Sequence, residues 1–184
     1  MGCLYNHGGH LFRPPSMSQS AATTTVFEIQ RSCEQSRPLD MEWIHSHALA
    51  AIRFLPSPIE RVSVRIVGDA EMAALHGKFC SLQTTTDVLT FPQSEPGAPV
   101  VVDIAICVDE ASRRVTEFGH PIEQELLLYL LHGLLHCTGF DDRSEADHAA
   151  MHAEEDRILT AIGIGPVFQA HTHQGDSTNG AAPA

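Results

Sequence analysis

Several features that would mark a specialised chain are scarce or missing in these 184 residues. The five cysteines (Cys3, Cys33, Cys80, Cys107, Cys137) form no CxxC pair, which excludes a zinc ribbon and a cysteine-dense secreted scaffold. An odd, scattered set predicts reduced thiols in a cytosolic protein. Long apolar runs are absent. The longest nearly unbroken one, Leu126–Leu135, is interrupted by His132 and is too short to span a bilayer. No basic stretch leads into an apolar segment at the N-terminus, so no secretory signal is expected. Positive charge is also in short supply: 11 basic side chains face 23 acidic ones, for a net charge of −12 with histidine neutral. What remains, 43% hydrophobic and 18% charged residues, is ordinary for a globular domain with a real core.

The charge is unevenly placed. Residues 1–99 carry 7 basic and 9 acidic side chains, whereas residues 100–165 carry 4 and 13. A protein that coats duplex nucleic acid shows the opposite sign. Any nucleic-acid chemistry here must therefore work through a local site, a metal or a partner. Histidine is the abundant titratable residue, with twelve copies.

Residues 1–22 and 166–184 are rich in small and polar residues without apolar period and are expected to be disordered tails. His171 and His173 fall in the second. The domain then covers 23–165. Strands are predicted at 24–30, 61–67, 87–91 and 100–108, the first two from β-branched and alternating patterns. The last is almost wholly apolar, as in a strand covered on both faces. Helices are predicted at 40–54, 69–79, 109–118, 121–137 and 145–162, with Asp40 and Asp69 as caps and Gly163 as a stop. The expected fold class is α+β: a single mixed four-stranded sheet packed with helices.

The informative stretch is ELLLYLLHGLLHCTGFDD, residues 125–142. Pro121 together with Glu123 and Glu125 marks a helix start. The helix is apolar on nearly every face, so it should be buried against the sheet. His132 and His136 interrupt it four residues apart, which stacks both imidazoles on one face, about 6 Å between Cβ atoms. Two ligands of one metal ion need that placement. Gly139 ends the helix, and the turn can bring Asp141 or Asp142 back toward the same face. The pattern H-x3-H-x2-G-x2-D selects His132, His136 and Asp142, three ligands that leave a fourth position open, as catalytic zinc sites do. Two core histidines bonded to backbone carbonyls are the bland alternative; two unligated buried imidazoles side by side are costly. A rival pair, His148 and His152, sits on a strongly polar helix and reads as a solvated face. Cys137 points about 100° away from His136 around the helix and reads as packing. Position 133 is Gly where a HExxH protease has its glutamate, and the missing side chain reads as room for a large substrate.

At these residues the sequence resembles the YbeY family of bacterial rRNA-maturation endoribonucleases. The family's helix motif HGxLHLxGYDH reads HGLLHCTGFDD at 132–142. Its PTDVLSFP reads TTDVLTFP at 85–92, and its GDIxI strand appears in VDIAI at 102–106. Met151, Glu155, Ile158 and Leu159 before Gly163 also follow it, so the likeness runs over about 24–165. Two departures stand out. The third family ligand is histidine, and here position 142 is aspartate, an accepted zinc ligand that adds one negative charge. The family's N-x-x-Y-R-x-K-D falls on His76, Phe79, Cys80, Leu82 and Gln83, so its phosphate-directed arginine is replaced by Cys80. Arg113, Arg114 and Arg143 are the candidate substitutes.

The resemblance implies a cytoplasmic, single-strand-specific zinc endoribonuclease with one Zn2+ per chain. It would act in small-subunit rRNA 3'-end maturation and late ribosome quality control. The implied partners are ribosomal RNA, the small ribosomal subunit, and ribosomal proteins or an assembly GTPase, with no membrane and no DNA. Asp141 is the candidate for orienting a ligand or accepting a proton, beside a plain turn or capping role. Two other readings stand next to this one. One is a zinc hydrolase of another substrate class, such as a peptidase. The other is a ribosome-assembly binding protein with largely structural zinc, which the loss of arginine at position 80 favours.

Overall fold

The computed structural model describes residues 3–4 (backbone only), 25–33 and 38–168. His171 and His173, and most of both expected tails, lie outside these residues. Two units divide at residue 140, covering 1–140 and 141–184.

The first unit is built on one mixed sheet. The four expected strands are β2 (Val26–Arg31), β3 (Ile59–Val67), β4 (Val88–Pro92) and β5 (Val100–Cys107), and a two-residue strand, β1 (Cys3–Leu4), adds to the β4 edge. The strand order is β1-β4-β5-β3-β2. β4 runs antiparallel to β5, and the other pairings are parallel. Strand β3 starts two residues earlier than its alternation suggests, with a register shift between Ile59 and Arg61. The helices are α1 (Met41–Ile52), α2 (Asp69–Cys80), α3 (Val108–Phe118) and α4 (Ile122–Cys137). Asp40 caps α1 by accepting from the Trp43 N–H at 2.9 Å. Pro121 is the N-cap of α4, with ψ 145°, so the helix begins one residue later than the sequence predicts.

Alternation divides the sheet into two faces. One carries Val62, Val64, Ile66, Val102, Ile104 and Ile106, each at most 2% exposed. Helix α4 lies on this face, as the contacts of Gly133 show. A Cβ built there would stand 2.8 Å from Thr90 Cγ2 and 3.3 Å from Val88 Cγ2. Glycine at 133 is thus what lets the helix approach β4, and that packing role replaces the expected opening for substrate. Leu126, Leu127, Leu130, Leu131, Leu134 and Leu135 are all buried, so α4 is the central helix of the core. At about 25 cal/mol per Å² of apolar surface removed from water, each buried leucine contributes roughly 1.5–3 kcal/mol.

The opposite face is partly covered by α2. Met72 packs in a cluster with Val67, Leu89, Ala105 and Cys107, and Leu75, Cys80 and Phe91 border it. Cys80 is disulfide-bonded, while Cys33, Cys107 and Cys137 are free. The expectation of five reduced thiols is corrected at that position. Sequence scatter carries no information on Cα proximity, which is what a disulfide requires.

The second unit holds α5 (Glu145–Ala161). Ser144 caps it by accepting from the Asp147 N–H at 3.1 Å. Met151, Ile158 and Leu159 are buried, and so are Glu155 and Asp156. Asp156 accepts from the backbone N–H groups of Val167 and Phe168 at 2.6 and 3.0 Å, which holds the chain just past the helix. No described helix is long and apolar enough to cross a membrane.

Candidate metal centre

Helix α4 places its two histidines one turn apart, and their rings meet nearly edge to face, 4.6 Å between centroids at 89°. The two Nε2 atoms are 3.1 Å apart. Two imidazole nitrogens on one tetrahedral zinc, each at about 2.0–2.1 Å, are separated by about 3.3 Å. The pair thus already stands close to the spacing of ligation.

The end of the helix fixes one ring. Gly139 has φ 105°, a left-handed conformation that glycine adopts without penalty. Its N–H reaches the His136 carbonyl at 3.2 Å, and the Phe140 N–H reaches the Leu135 carbonyl at 3.1 Å. These are the two bonds of a Schellman motif. The turn also delivers the Phe140 carbonyl to His136 Nδ1, at 3.1 Å. A carbonyl only accepts, so Nδ1 carries the proton and Nε2 presents its lone pair toward His132. Metal-binding histidines are oriented in this way by an acceptor behind the ring.

His132, His136 and Asp142 form a group that could hold a metal ion: one donor atom from each lies within 4.8 Å of the others. Two imidazoles and a carboxylate suit a divalent ion of borderline softness. The orienting carbonyl and the Nε2 spacing fit such an ion as well.

Asp141 has both oxygens engaged. Oδ1 accepts from the Asp142 N–H at 2.9 Å and the Arg143 N–H at 3.3 Å. Oδ2 accepts from Arg143 Nε at 2.6 Å, and its contact with the other guanidinium nitrogen is closer still. The Arg143 hydrogen bond holds the carboxyl below the usual range. Cys137 is pushed up to about 12 by burial, so it is a protonated packing thiol.

The rival histidines on α5 are engaged elsewhere. The His148 and His152 rings lie 3.9 Å apart, His152 stacks on Phe168 at 3.7 Å, and its Nε2 is 4.0 Å from Glu155 Oε2. His148 is exposed and His152 half-buried. The three candidate arginines all stand in ion pairs. Arg113 forks onto Asp69 at 2.7 and 2.8 Å and also reaches Glu110, Arg114 is 3.7 Å from Glu117, and Arg143 holds Asp141.

A cavity of about 570 Å³ opens on the α2 face of the sheet, lined by Arg61, Arg65, Phe79, Phe91 and Asp103 among others. None of the sequence-predicted site residues lines it. Its arginines pair with Asp103 and Glu71, so it offers no unbalanced positive track for phosphates.

Asp87, just before β4, is a further carboxylate that the sequence does not single out. Its carboxylate accepts from the Val88 N–H at 2.8 Å and the Thr86 hydroxyl at 2.9 Å. Burial pushes its pKa upward, but these hydrogen bonds and nearby positive charge outweigh burial and leave it below the usual range. The signal was an aspartate at the mouth of an apolar strand, which reads equally well as a turn residue.

Fold and site together define a class: an α+β protein whose central buried helix presents a histidine pair, with a carboxylate just beyond the helix end, in a group that could hold a metal ion. Within that class the chain belongs to the YbeY family, whose model, described as Endoribonuclease YbeY, matches residues 28–163. Relatives carrying the name Endoribonuclease YbeY are similar to it. That of Bradyrhizobium sp. is 30% identical over 158 residues, covering 80% of this chain and 94% of the relative. That of Anaeromyxobacter sp. is 34% identical over 123 residues, covering 66% and 64%. A solution structure of a Thermotoga maritima protein is 21% identical with a TM-score of 0.48, covering 83% of this chain and 99% of that one.

Proposed function

We propose that this protein is a zinc-dependent endoribonuclease that hydrolyses phosphodiesters of single-stranded RNA. In this reading it acts in small-subunit rRNA 3'-end maturation and late ribosome quality control, in the cytoplasm. One observation carries the reading: a family match over 28–163 to a model described as an endoribonuclease contains the His132–His136 pair with Nε2 atoms 3.1 Å apart. One zinc ion would be held by His132, His136 and Asp142. When bound, it supplies a Lewis acid that polarises a phosphoryl oxygen and acidifies a water. The chain's own residues do the positioning. The Phe140 carbonyl keeps the His136 proton on Nδ1. Asp141 serves orientation, since its oxygens organise the turn from which Asp142 projects. Three protein ligands leave one position for water or substrate.

The acidic surface requires a partner to bring RNA near. Ribosomal RNA in the small subunit, with ribosomal proteins or an assembly GTPase, would supply the positive field. A second reading, an assembly factor with structural zinc, draws support from position 80. Cys80 stands where the family has arginine, and Arg113, Arg114 and Arg143 are committed to ion pairs.

Zinc-loaded protein is incubated with single-stranded RNA, duplex RNA and casein. The nuclease reading expects cleavage of single-stranded RNA alone, lost in His132→Ala. Full zinc occupancy without cleavage of any substrate favours the assembly factor, and casein cleavage favours the peptidase.

A further inference from the structure

The partner of Cys80 follows from elimination. Of the five cysteines in the sequence, Cys33, Cys107 and Cys137 are free, and Cys80 is disulfide-bonded. Within the chain, Cys3 remains. The backbone brings the two positions together independently. In the parallel β1–β4 pairing, Cys3 stands opposite Leu89. Residues opposite each other in a ladder share one face of the sheet. Leu89 belongs to the cluster with Val67, Met72 and Cys107, and Cys80, the last residue of α2, packs against that cluster. Position 3 thus lies on the face that Cys80 borders. The ladder alone holds β1 weakly. The strand is two residues long, against about 5–6 for a usual strand, and it pairs with β4 alone. A ladder so short at a sheet edge frays unless something fixes it.

We infer that Cys3 is the partner of Cys80, and that this disulfide is a redox-sensitive latch holding β1 on the outer edge of β4. Cys80 is half-buried, within reach of a small thiol, and accessible disulfides are the labile ones. A thiolate of a reductant such as glutathione attacks one of the two sulfurs and the S–S bond breaks. A second reductant thiolate resolves the mixed disulfide. Each displaced protein thiolate takes up a proton. Two electrons have then passed to the protein, which carries two thiols, and the reductant leaves as its own disulfide. β1 is released, and β4 (Val88–Pro92) becomes an edge strand with unpaired backbone groups. Glutathione disulfide runs the same exchange backward and restores the latch. Burial raises the Cys107 thiol and pushes Cys137 up to about 12, so both stay protonated and compete poorly in the exchange. The strand that the latch covers is the one Gly133 of α4 packs against.

Peptide mapping tests the pairing. The full chain is incubated with glutathione disulfide, alkylated without reduction and digested. A Cys3–Cys80 cross-linked peptide is expected. Cys80 found free, or joined to another cysteine or to a second chain, overturns the proposal. Hydrogen exchange over residues 88–92 tests the latch. Adding dithiothreitol to the oxidised protein is expected to speed exchange there by about 10-fold or more, toward that of a fraying edge, and reoxidation restores the protection. Cys3→Ser should exchange at the reduced rate with or without dithiothreitol, and Cys33→Ser should respond as the wild type does. Equal exchange in the oxidised and reduced wild type, or a Cys3→Ser chain that still responds to dithiothreitol, overturns the latch. Should Cys3→Ser not fold, the wild type in its two redox states decides alone.

Discussion

Helices α4 and α5 each carry two histidines four residues apart, and the structure uses them in opposite ways. On α4, the rings at 132 and 136 turn their Nε2 atoms to within 3.1 Å of each other, and a carbonyl stands behind His136. On α5, His148 and His152 meet edge to face, and His152 stacks on Phe168. Spacing sets proximity in both helices. What differs is the surroundings. An apolar helix deprives imidazole of water and makes a shared partner valuable, while on α5 His148 is exposed and His152 lies half-buried against Phe168. Acceptors behind the ring then select which nitrogen is offered. On the proposed reading, an HxxxH pattern becomes a metal site through the groups around it.

The strongest challenge to this contrast is position 142, where α4 would draw its third ligand. Asp142→Ala is expected to lose most zinc affinity, more than about 100-fold and so beyond the usual effect of an outer partner. Asp142→His should retain zinc and hold or raise activity at neutral pH, because one negative charge leaves the metal's first shell. Asp142→Asn should fall between. Zinc titration of the three variants checks this, and unchanged affinity in Asp142→Ala removes the residue from the site.

Packing behind α4 gives the next largest effect. Gly133→Ala puts a Cβ 2.8 Å from Thr90 Cγ2. Overpacking of that kind costs about 1–3 kcal/mol, against a helix-propensity gain of about 1 kcal/mol, so a lower denaturation midpoint is expected. A midpoint equal to or above wild type would show that α4 does not need the close approach.

On α5 the polar residues serve the fold. Asp156→Ala strands the N–H groups of Val167 and Phe168, at a cost of about 1–3 kcal/mol, with zinc affinity unchanged. Urea melts and zinc titration of the same variant test both halves.

A smaller effect concerns Asp69, whose hydrogen bonds to Arg113 lower its pKa from 3.8 to about 2. A depressed carboxyl stabilises the fold fully above its ordinary pKa, and that contribution is lost as pH falls from 3.8 to about 2. The Asp69 side chain is 44% exposed, so solvent screening limits the effect to below about 1 kcal/mol. Melting curves of wild type and Arg113→Ala should therefore differ slightly at pH 6 and converge near pH 2.

Much of this was legible in the sequence. Strand alternation in β3, the apolar run of β5 and the HxxxHxxG pattern rest on local periodicity, and the elements they predict are present. Less legible were features set by chain segments meeting in space. Glu155 and Asp156 on α5 look solvated by composition and are buried. Asp156 is satisfied by backbone 11 and 12 residues away, which no period encodes. Gly133 reads as an opening until Thr90 and Val88 are seen beside it. Cys80 is paired although its spacing to other cysteines shows no motif. The four-strand sheet was expected, and the two residues at Cys3–Leu4 that extend it carry no strand signal of their own.

The central claim is that α4, and not α5, holds the metal. The direct test is zinc content per chain, by elemental analysis after dialysis, for wild type, the double variant His132→Ala/His136→Ala and the double variant His148→Ala/His152→Ala. The account predicts one zinc in the wild type, none in the first variant and one in the second. Zinc retained by the first variant, or lost from the second, would contradict it.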